Sequence, residues 1–243
     1  MTYMNKFDAA HETKKFWLSR VAWVAVVSLL LLGGCRNESV ETGREREQPS
    51  NLSPQESEML DACVKGDTAR VKQLLDKGVS ANMRGTDRNT PIMEAAYGGH
   101  LDTVKLLLDR GADLSAKKSD GATPITLASD KSILALFKDV TALVSAAEAG
   151  NEKIVTELID KGTPVNGLDQ FGQSALHVAC WNGKTEIVKL LLARGADPRI
   201  KKADGAMPLT LAKGQGHEDI VALLNEAIAK QPSPPNKTVS PAK

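Results

Sequence analysis

An internal repeat with a period of about 33 residues restricts this chain to a small set of folds. One series of glycines recurs at this period with a single wider interval, and a second series shows the same spacing with the wider interval at the same place. The wider interval, from Gly99 to Gly150, is close to one and a half periods, so it indicates a shortened repeat in the middle. A fixed period of this kind is typical of small stacked units that bury apolar surface against their neighbours. The two series are Gly66, Gly99, Gly150, Gly183 and Gly216, and Gly78, Gly111, Gly162 and Gly195.

Within one period, residues 90–111 predict two short helices. Thr90 suits an N-cap, and Pro91 suits the first helical position, which needs no N–H. Gly99 separates the two helices, and Gly111 can end the second with left-handed backbone. Helices this short are marginal in isolation, so each pair depends on its stacked neighbours. The Asp-Gly pairs at 120–121 and 204–205 are turn signals, which predict a β-hairpin between successive helix pairs.

The pattern predicts an all-α repeat solenoid of about six helix pairs. The third pair is shortened, because the chain runs from Phe137 to the next helix start without a glycine-ended loop and hairpin. Four projecting hairpins are therefore expected where five would be regular. We expect continuous stacking, because two separate blocks would each expose an apolar end; a kink near residue 139 is the alternative. The pairs begin near Ser57, Thr90, Thr123, Thr141, Ser174 and Met207.

The repeated residues resemble those of the ankyrin family, and the resemblance covers residues 57–229. It implies helix-turn-helix repeats with projecting β-hairpin loops, whose tips and first helices form a concave groove for a protein partner. One copy of the family pattern runs from Thr90-Pro91-Ile92 through Gly99-His100 and Leu107-Leu108 to Gly111-Ala112-Asp113, and another from Ser174-Ala175-Leu176-His177 through Ile187-Val188 to Gly195-Ala196-Asp197.

The N-terminus has the pattern of an export signal. A basic segment precedes an apolar run over residues 21–32, which is short for a membrane span but suits a secretory signal. The run ends in Leu32-Gly33-Gly34-Cys35, which resembles a bacterial lipobox. The resemblance implies cleavage of residues 1–34, acylation of Cys35 and anchoring in a membrane facing the periplasm, and Arg36 favours the outer membrane. An uncleaved anchor helix with an incidental Cys35 is the alternative.

Two flanking segments are too polar or too rich in proline to fold. Residues 35–56 carry many charges and few apolar side chains, so we expect a mobile tether after the lipidated cysteine. Residues 230–243 are rich in proline and are expected to be disordered. The folded domain is therefore expected to span residues 57–229.

Composition argues against one class of protein and limits which residues can fill the core. The chain has 31 Lys and Arg against 30 Asp and Glu, which disfavours binding to nucleic acid through phosphate neutralisation. Only 4% of its residues are aromatic, so Leu, Ile, Val and Ala must fill the core. The aromatic residues beyond the signal are Tyr97, Phe137, Phe171 and Trp181, and we expect Phe137 to be a packing residue.

Motifs for chemistry are incomplete, so no catalytic residue, metal or cofactor is predicted. Gly183-Lys184-Thr185 resembles the end of a phosphate-binding loop but lacks the earlier glycine and a preceding strand. The histidines at 100, 177 and 217 belong to different repeats without the spacing of metal ligands, so structural hydrogen bonding is expected. Cys63 and Cys180 are several stacking steps apart, beyond disulfide reach, and are expected to be buried thiols.

The family resemblance places candidate partner-binding residues on the hairpins and first helices. Tyr97 and Trp181 occupy the same repeat position, and Phe171 stands where other hairpins have Asp120 or Asp204. Exposed rings are typical interface hot spots, although Tyr97 and Trp181 could instead pack between repeats. Basic hairpins favour an acidic partner surface, with a solvated lysine-rich edge as the alternative. The candidates are Tyr97, Trp181, Phe171, Met83, Arg84, Arg88, Lys117, Lys118, Leu168, Ile200, Lys201 and Lys202.

Together these features predict a monomeric, membrane-anchored periplasmic protein that binds a protein partner and has no catalytic activity. Its role would be that of a scaffold or assistant for another periplasmic protein. An immunity-type inhibitor that neutralises a toxin or effector is the second hypothesis. An enzyme is the remote third, because no catalytic constellation is present.

Overall fold

Eleven α-helices make up most of the regular structure of residues 52–202 and 204–230, the parts of the chain that the computed structural model describes. No strand forms in those ranges, and one isolated bridge pairs Asp113 with Leu168. The predicted all-α solenoid is confirmed. In chain order the helices are α1 (Pro54–Lys65), α2 (Thr68–Asp76), α3 (Pro91–Tyr97), α4 (Leu101–Asp109), α5 (Pro124–Leu127), α6 (Lys131–Ala149), α7 (Glu152–Asp160), α8 (Ala175–Trp181), α9 (Thr185–Ala193), α10 (Pro208–Gln215) and α11 (Glu218–Lys230).

Helices α1 and α11 form the two ends of the described array. Helix α1 begins at Pro54, slightly before the predicted Ser57, because Ser53 caps it and exchanges hydrogen bonds with Glu56. Helix α11 continues to Lys230. The predicted signal peptide, Cys35, most of the tether and most of the C-terminal tail lie outside the described residues. Within those residues, no helix has both the length and the apolar character needed to cross a membrane.

Most first helices of a pair begin as the repeat predicts. Proline occupies the first position of α3, α5 and α10, and the side chains of Thr123 and Ser174 cap α5 and α8. Thr90 does not act as the predicted side-chain cap, because its Oγ1 is buried without a partner in the described structure. Its carbonyl instead accepts from Met93 and Glu94.

The shortened repeat differs from the prediction at Thr141. Helix α6 runs unbroken from Lys131 to Ala149, so it is both the second helix of the third pair and the first helix of the fourth. Thr141 lies in its middle and donates its hydroxyl to the Phe137 carbonyl, the bond expected inside a helix rather than at an N-cap. The prediction that a helix begins at Thr141 is therefore wrong, because no residue between Phe137 and Thr141 interrupts the helical pattern.

Stacking nevertheless continues through this repeat. Helix α6 contributes Phe137 and Val140 to the N-terminal core cluster and Leu143 and Val144 to the C-terminal one. Ion pairs join successive second helices at Asp76–Arg110 (2.8 Å) and Asp160–Arg194 (2.6 Å). The equivalent bond at the shortened repeat is Asp139–Lys161, at 2.7 Å. The predicted continuous array is thus supported by packing on both sides of residue 139.

Four loops connect the pairs: residues 79–89, 112–122, 163–173 and 196–206, named here the first to fourth loops. Each is closed by one N–H···O bond of 2.9 Å, at Gly85–Asn89, Lys118–Ala122, Asp169–Gln173 and Lys202–Ala206. They are tight loops rather than the predicted β-hairpins, because this bond and the turn bonds beside it, such as Gly121 N–H to Lys118 O, form without a ladder of strand pairing in the described residues. The second and third loops are neighbours: Leu168 N–H donates to Ala112 O, and Leu114 N–H donates to Leu168 O.

The cysteines and two histidines have structural roles, as predicted. Cys63 and Cys180 are buried free thiols, and burial raises the pKa of each to about 12. His100 and His217 cover Gly66 and Gly183 of the preceding repeats, where an added Cβ would lie 2.5 Å and 2.6 Å from the ring. Glycine is required at both positions by this close approach and by a positive φ.

His177 is a fully buried histidine that joins α8 to the fourth loop. Its Nδ1 lies 2.7 Å from Ser174 Oγ, and its Nε2 lies 3.2 Å from the Ala206 carbonyl oxygen. These contacts fit a neutral ring in which Nε2 donates and Nδ1 accepts. Burial is the main reason that the pKa of His177 falls from 6.5 to about 4; the hydrogen bond to Ala206 opposes the shift, and the Lys202 charge adds to it.

We expect acid to destabilise the protein through His177. Because the folded pKa lies below the unfolded one, this contribution is complete above about pH 6.5 and is lost as the pH falls towards about 4, by on the order of 1–3 kcal/mol. The variant His177→Asn should be less stable at neutral pH but lose less stability on acidification. Urea denaturation across this range measures both, and parallel pH profiles would contradict the assignment.

Candidate functional site

One position of the repeat projects side chains from the first helices. It lies two residues before Gly66, Gly99, Gly150 and Gly183 and is occupied by Val64, Tyr97, Glu148 and Trp181. All four side chains are exposed: Tyr97 is 73% exposed and Trp181 51%. Exposure of two large rings at a fixed register indicates a surface available for contact rather than packing between repeats.

A cavity of about 380 Å³ lies beside Trp181. It brings together two of the predicted rings, Phe171 and Trp181, with the predicted Lys202. Phe171 is 69% exposed and comes from the third loop, whereas Trp181 ends helix α8. The lining combines apolar, amide and charged groups from α6, α8, α10 and two loops: Val144, Ser145, Glu148, Asp169, Phe171, Gln173, Val178, Trp181, Asn182, Lys202 and Leu211.

The third loop positions Phe171 through Asp169. The Asp169 carboxylate Oδ1 accepts from the backbone N–H groups of Phe171 (2.9 Å) and Gln173 (3.0 Å). These bonds hold the loop closed around a fixed backbone, so the Phe171 ring projects from a rigid base. In the second and fourth loops the same closure is made by Asp120 and Asp204, each accepting from the N–H two residues later.

The cavity has negative charges that no cation of the described residues neutralises directly. Burial is the largest influence on Asp169 and raises its pKa; two backbone hydrogen bonds lower it, and Asp113 and Glu148 raise it further. Glu148 is exposed and makes no ion pair within the described structure. The Lys202 ammonium is paired with Asp204 at 2.8 Å. The lining of the cavity therefore combines two carboxylates, the exposed Glu148 and the buried Asp169, with the Phe171 and Trp181 rings.

A second, more apolar cleft of about 440 Å³ adjoins the first. It lies along the shortened repeat, and Ser145 lines both openings. Gln170 of the third loop forms one side, next to Phe171 in the chain. The short α5 leaves room here, because it ends at Leu127 where other first helices continue for another turn. The remaining lining residues are Ile125, Leu134, Phe137, Lys138, Thr141 and Ala142.

The other predicted site residues are dispersed or buried. Met83 and Leu168 are 6% and 1% exposed, so their placement on the partner-binding surface is corrected: both point into the core between loops. Ile200 is half-buried, and a Cβ added at Gly111 would lie 3.2 Å from its Cδ1. Tyr97 is exposed but lines neither cavity. The basic candidates outside the cavities are Arg84, Arg88, Lys117 and Lys201, which are exposed, and Lys118, which is half-buried.

Sequence reasoning missed the carboxylates Glu148 and Asp169. The signal for Glu148 was present, because it stands two residues before Gly150, in register with Tyr97 and Trp181. Asp169 stands where the second and fourth loops have Lys118 and Lys202. Neither substitution stood out until the fold placed both residues beside Phe171 and Trp181.

Comparison with known proteins finds similarity over part of the chain. A family model described as ankyrin repeats in three copies matches residues 59–139 and 129–202. The chain is 43% identical over 84 residues to the potassium channel AKT1 of Arabidopsis thaliana, and 38% identical over 76 residues to the 2-5A-dependent ribonuclease of Mus musculus. These matches cover 35% and 31% of this chain but only 10% of either relative, so the chain spans about a tenth of their length.

A smaller relative is matched over most of its length. The Notch-regulated ankyrin repeat-containing protein B of Danio rerio is 40% identical over 83 residues, which cover 32% of this chain and 75% of that protein. The repeat period, the stacked helix pairs and the family model agree over residues 59–202. This protein belongs to the ankyrin repeat family.

Proposed function

We propose that this protein is a non-enzymatic binding module that holds a protein partner along the face formed by Phe171, Trp181 and Tyr97. Ankyrin repeats are in general interaction modules. The observation that carries the proposal is the cavity where Phe171 and Trp181 meet, because rigidly held, exposed rings beside a concave opening are typical interface hot spots. The adjoining apolar cleft extends the available surface.

Charge at the loop tips suits steering of the partner. Arg84, Arg88, Lys117 and Lys201 are exposed near these tips. We propose that these basic side chains face acidic groups of the partner, and that they accelerate association more than they strengthen the complex. The module acts as a monomer.

The N-terminal sequence supports a proposed location. Residues 1–34 have the pattern of a secretory signal, and Leu32-Gly33-Gly34-Cys35 resembles a lipobox. We propose that Cys35 carries lipid and tethers the array to a bacterial membrane facing the periplasm, more specifically the outer membrane. Incorporation of labelled fatty acid by the wild type but not by Cys35→Ala would support this, and equal labelling would contradict it.

The binding proposal is tested by removing both rings. Phe171→Ala combined with Trp181→Ala should weaken partner binding by about 30-fold or more, as expected for two hot-spot rings. Both side chains are largely exposed, so the urea midpoint of the variant should stay close to that of the wild type. Quantitative pull-down followed by titration with the identified partner measures the affinity.

The matched control for this variant is Val64→Ala, which truncates an exposed apolar side chain at the same repeat position but outside the cavity. It should bind like the wild type. Equal partner affinity of the double variant and the wild type would overturn the proposal. The nature of the captured partner separates a scaffold, which binds a resident periplasmic protein, from an immunity-type inhibitor, which binds a toxin.

A further inference from the structure

We propose that the cavity beside Trp181 receives a cationic side chain, arginine or lysine, of the partner protein. Glu148 and Asp169 supply the negative charge, and the Phe171 and Trp181 rings form its walls. This inference rests on the proposed binding function and specifies the partner's chemistry at one subsite.

The first argument is a change of charge between loops. The second and fourth loops have lysine followed two residues later by aspartate, and in the fourth loop Lys202 Nζ lies 2.8 Å from Asp204 Oδ2. The third loop replaces this pair with Asp169 and Phe171. The third loop thus has a loop-closing carboxylate at the position of the lysine and a phenylalanine ring at the position of the aspartate. The third loop therefore contributes no cation to the cavity, and the fourth loop contributes only Lys202, which is already paired with Asp204.

The second argument is the place of Glu148. Its repeat position projects Tyr97 and Trp181 to the exterior, and Glu148 lines the same cavity as Trp181. Two lysines lie nearby. Lys202 is already paired with Asp204, and Lys184 lies along the backbone of Gly150 with no ion pair to Glu148 within the described structure. Glu148 thus faces the cavity without a counterion among the described residues.

The third argument is the geometry of the walls. Arginine and lysine are attracted to the faces of aromatic rings, most strongly to tryptophan. A carboxylate beside such rings adds charge-assisted hydrogen bonds. The cavity also offers the side-chain amides of Gln173 and Asn182. Glu148 lies close enough to Asp169 for its charge to raise the pKa of Asp169, although burial is the larger cause and two backbone hydrogen bonds oppose the shift, so the two carboxylates belong to one site.

Direct titration of the full chain with small probes tests this assignment. Trp17→Phe and Trp23→Phe leave Trp181 as the only tryptophan, so its fluorescence reports the cavity. The probes are N-acetyl-argininamide, N-acetyl-lysinamide and the neutral isostere N-acetyl-citrullinamide. We expect saturable binding of at least one cationic probe, weakened by salt, with citrullinamide about tenfold weaker or undetected.

Two charge-matched variants locate the effect. Glu148→Gln should weaken the cationic probe by about fivefold or more, whereas Glu157→Gln, which removes one negative charge from α7 outside the cavity, should leave the affinity near that of the wild type. The assignment is overturned if citrullinamide binds as tightly as the cationic probes, if no probe saturates, or if both variants behave alike.

The same variants keep this assignment distinct from the proposed function. Suppose that the double variant Phe171→Ala with Trp181→Ala no longer binds the partner, whereas Glu148→Gln binds it with the affinity of the wild type. This result would support the proposed binding face and contradict the cation subsite. If the ring variant binds the partner normally, the binding face itself is wrong. Loss of partner binding in Glu148→Gln, with unchanged binding in Glu157→Gln, supports both.

Discussion

Replacing Ala142 by proline is expected to destabilise the protein by about 3 kcal/mol or more. Ala142 is an exposed residue in the middle of α6, so the change removes no core side chain. Proline there lacks the N–H that the helix needs, and its ring clashes with the carbonyl one turn earlier. Because α6 belongs to both core clusters, breaking it disconnects the two halves of the array. Urea denaturation followed by circular dichroism measures the loss.

The Ala142→Pro variant distinguishes the unbroken helix of the structure from the helix start at Thr141 that the repeat pattern predicts. If a helix began at Thr141, residue 142 would be its first position, where proline is well tolerated. The matched control is Ala175→Pro, at the first position of α8, where α3, α5 and α10 already have proline. It should change stability by less than about 1 kcal/mol, and a small gain is the expected direction. Equal behaviour of the two variants would contradict an unbroken α6.

Truncating Phe137 to alanine should cost about 3–5 kcal/mol. The ring is 2% exposed and is among the largest fully buried side chains in the described structure. It lies on α6 at the shortened repeat, where the small α5 leaves few other groups to fill the space. The cavity left behind therefore adds to the lost burial of the ring. The free energy of unfolding in urea is the measurement.

The other phenylalanine of the array provides the comparison. Phe171→Ala removes the same atoms from a 69% exposed side chain, so its effect on stability should lie within about 0.5 kcal/mol. Similar destabilisation by the two truncations would contradict the division into a packing ring and a surface ring. A large effect at Phe171 alone would show that the third loop depends on its ring for folding.

The sequence predicted more of the fold than of the site because the two depend on different information. Helix starts such as Pro91 and Pro124 follow from local backbone preferences, which recur once in each repeat. The error at Thr141 arose because a threonine with this spacing has the local signature of a cap, while helix continuity is decided by the residues before it. Likewise, the burial of Met83 and Leu168 depends on contact between successive loops, which local pattern does not contain.

The site residues also differ in how well the sequence predicted them. Tyr97, Phe171 and Trp181 stood out because rings are rare in this chain and occupy variable repeat positions. Glu148 did not stand out, since a glutamate on a helix surface is ordinary. It gained a role only when α6 was found to place it in the cavity of Phe171 and Trp181.

The residue pattern was enough to predict an array of ankyrin-like repeats and to locate the shortened repeat, because a periodic array is built from local signals and contacts between neighbouring units. The folded structure was needed to show that one continuous helix bridges the shortened repeat. It also brought Glu148, Asp169, Phe171 and Trp181 together around one cavity. Because part of a repeat is missing, the second and third loops lie side by side. The resulting contacts depend on distances in space that the repeat period does not encode.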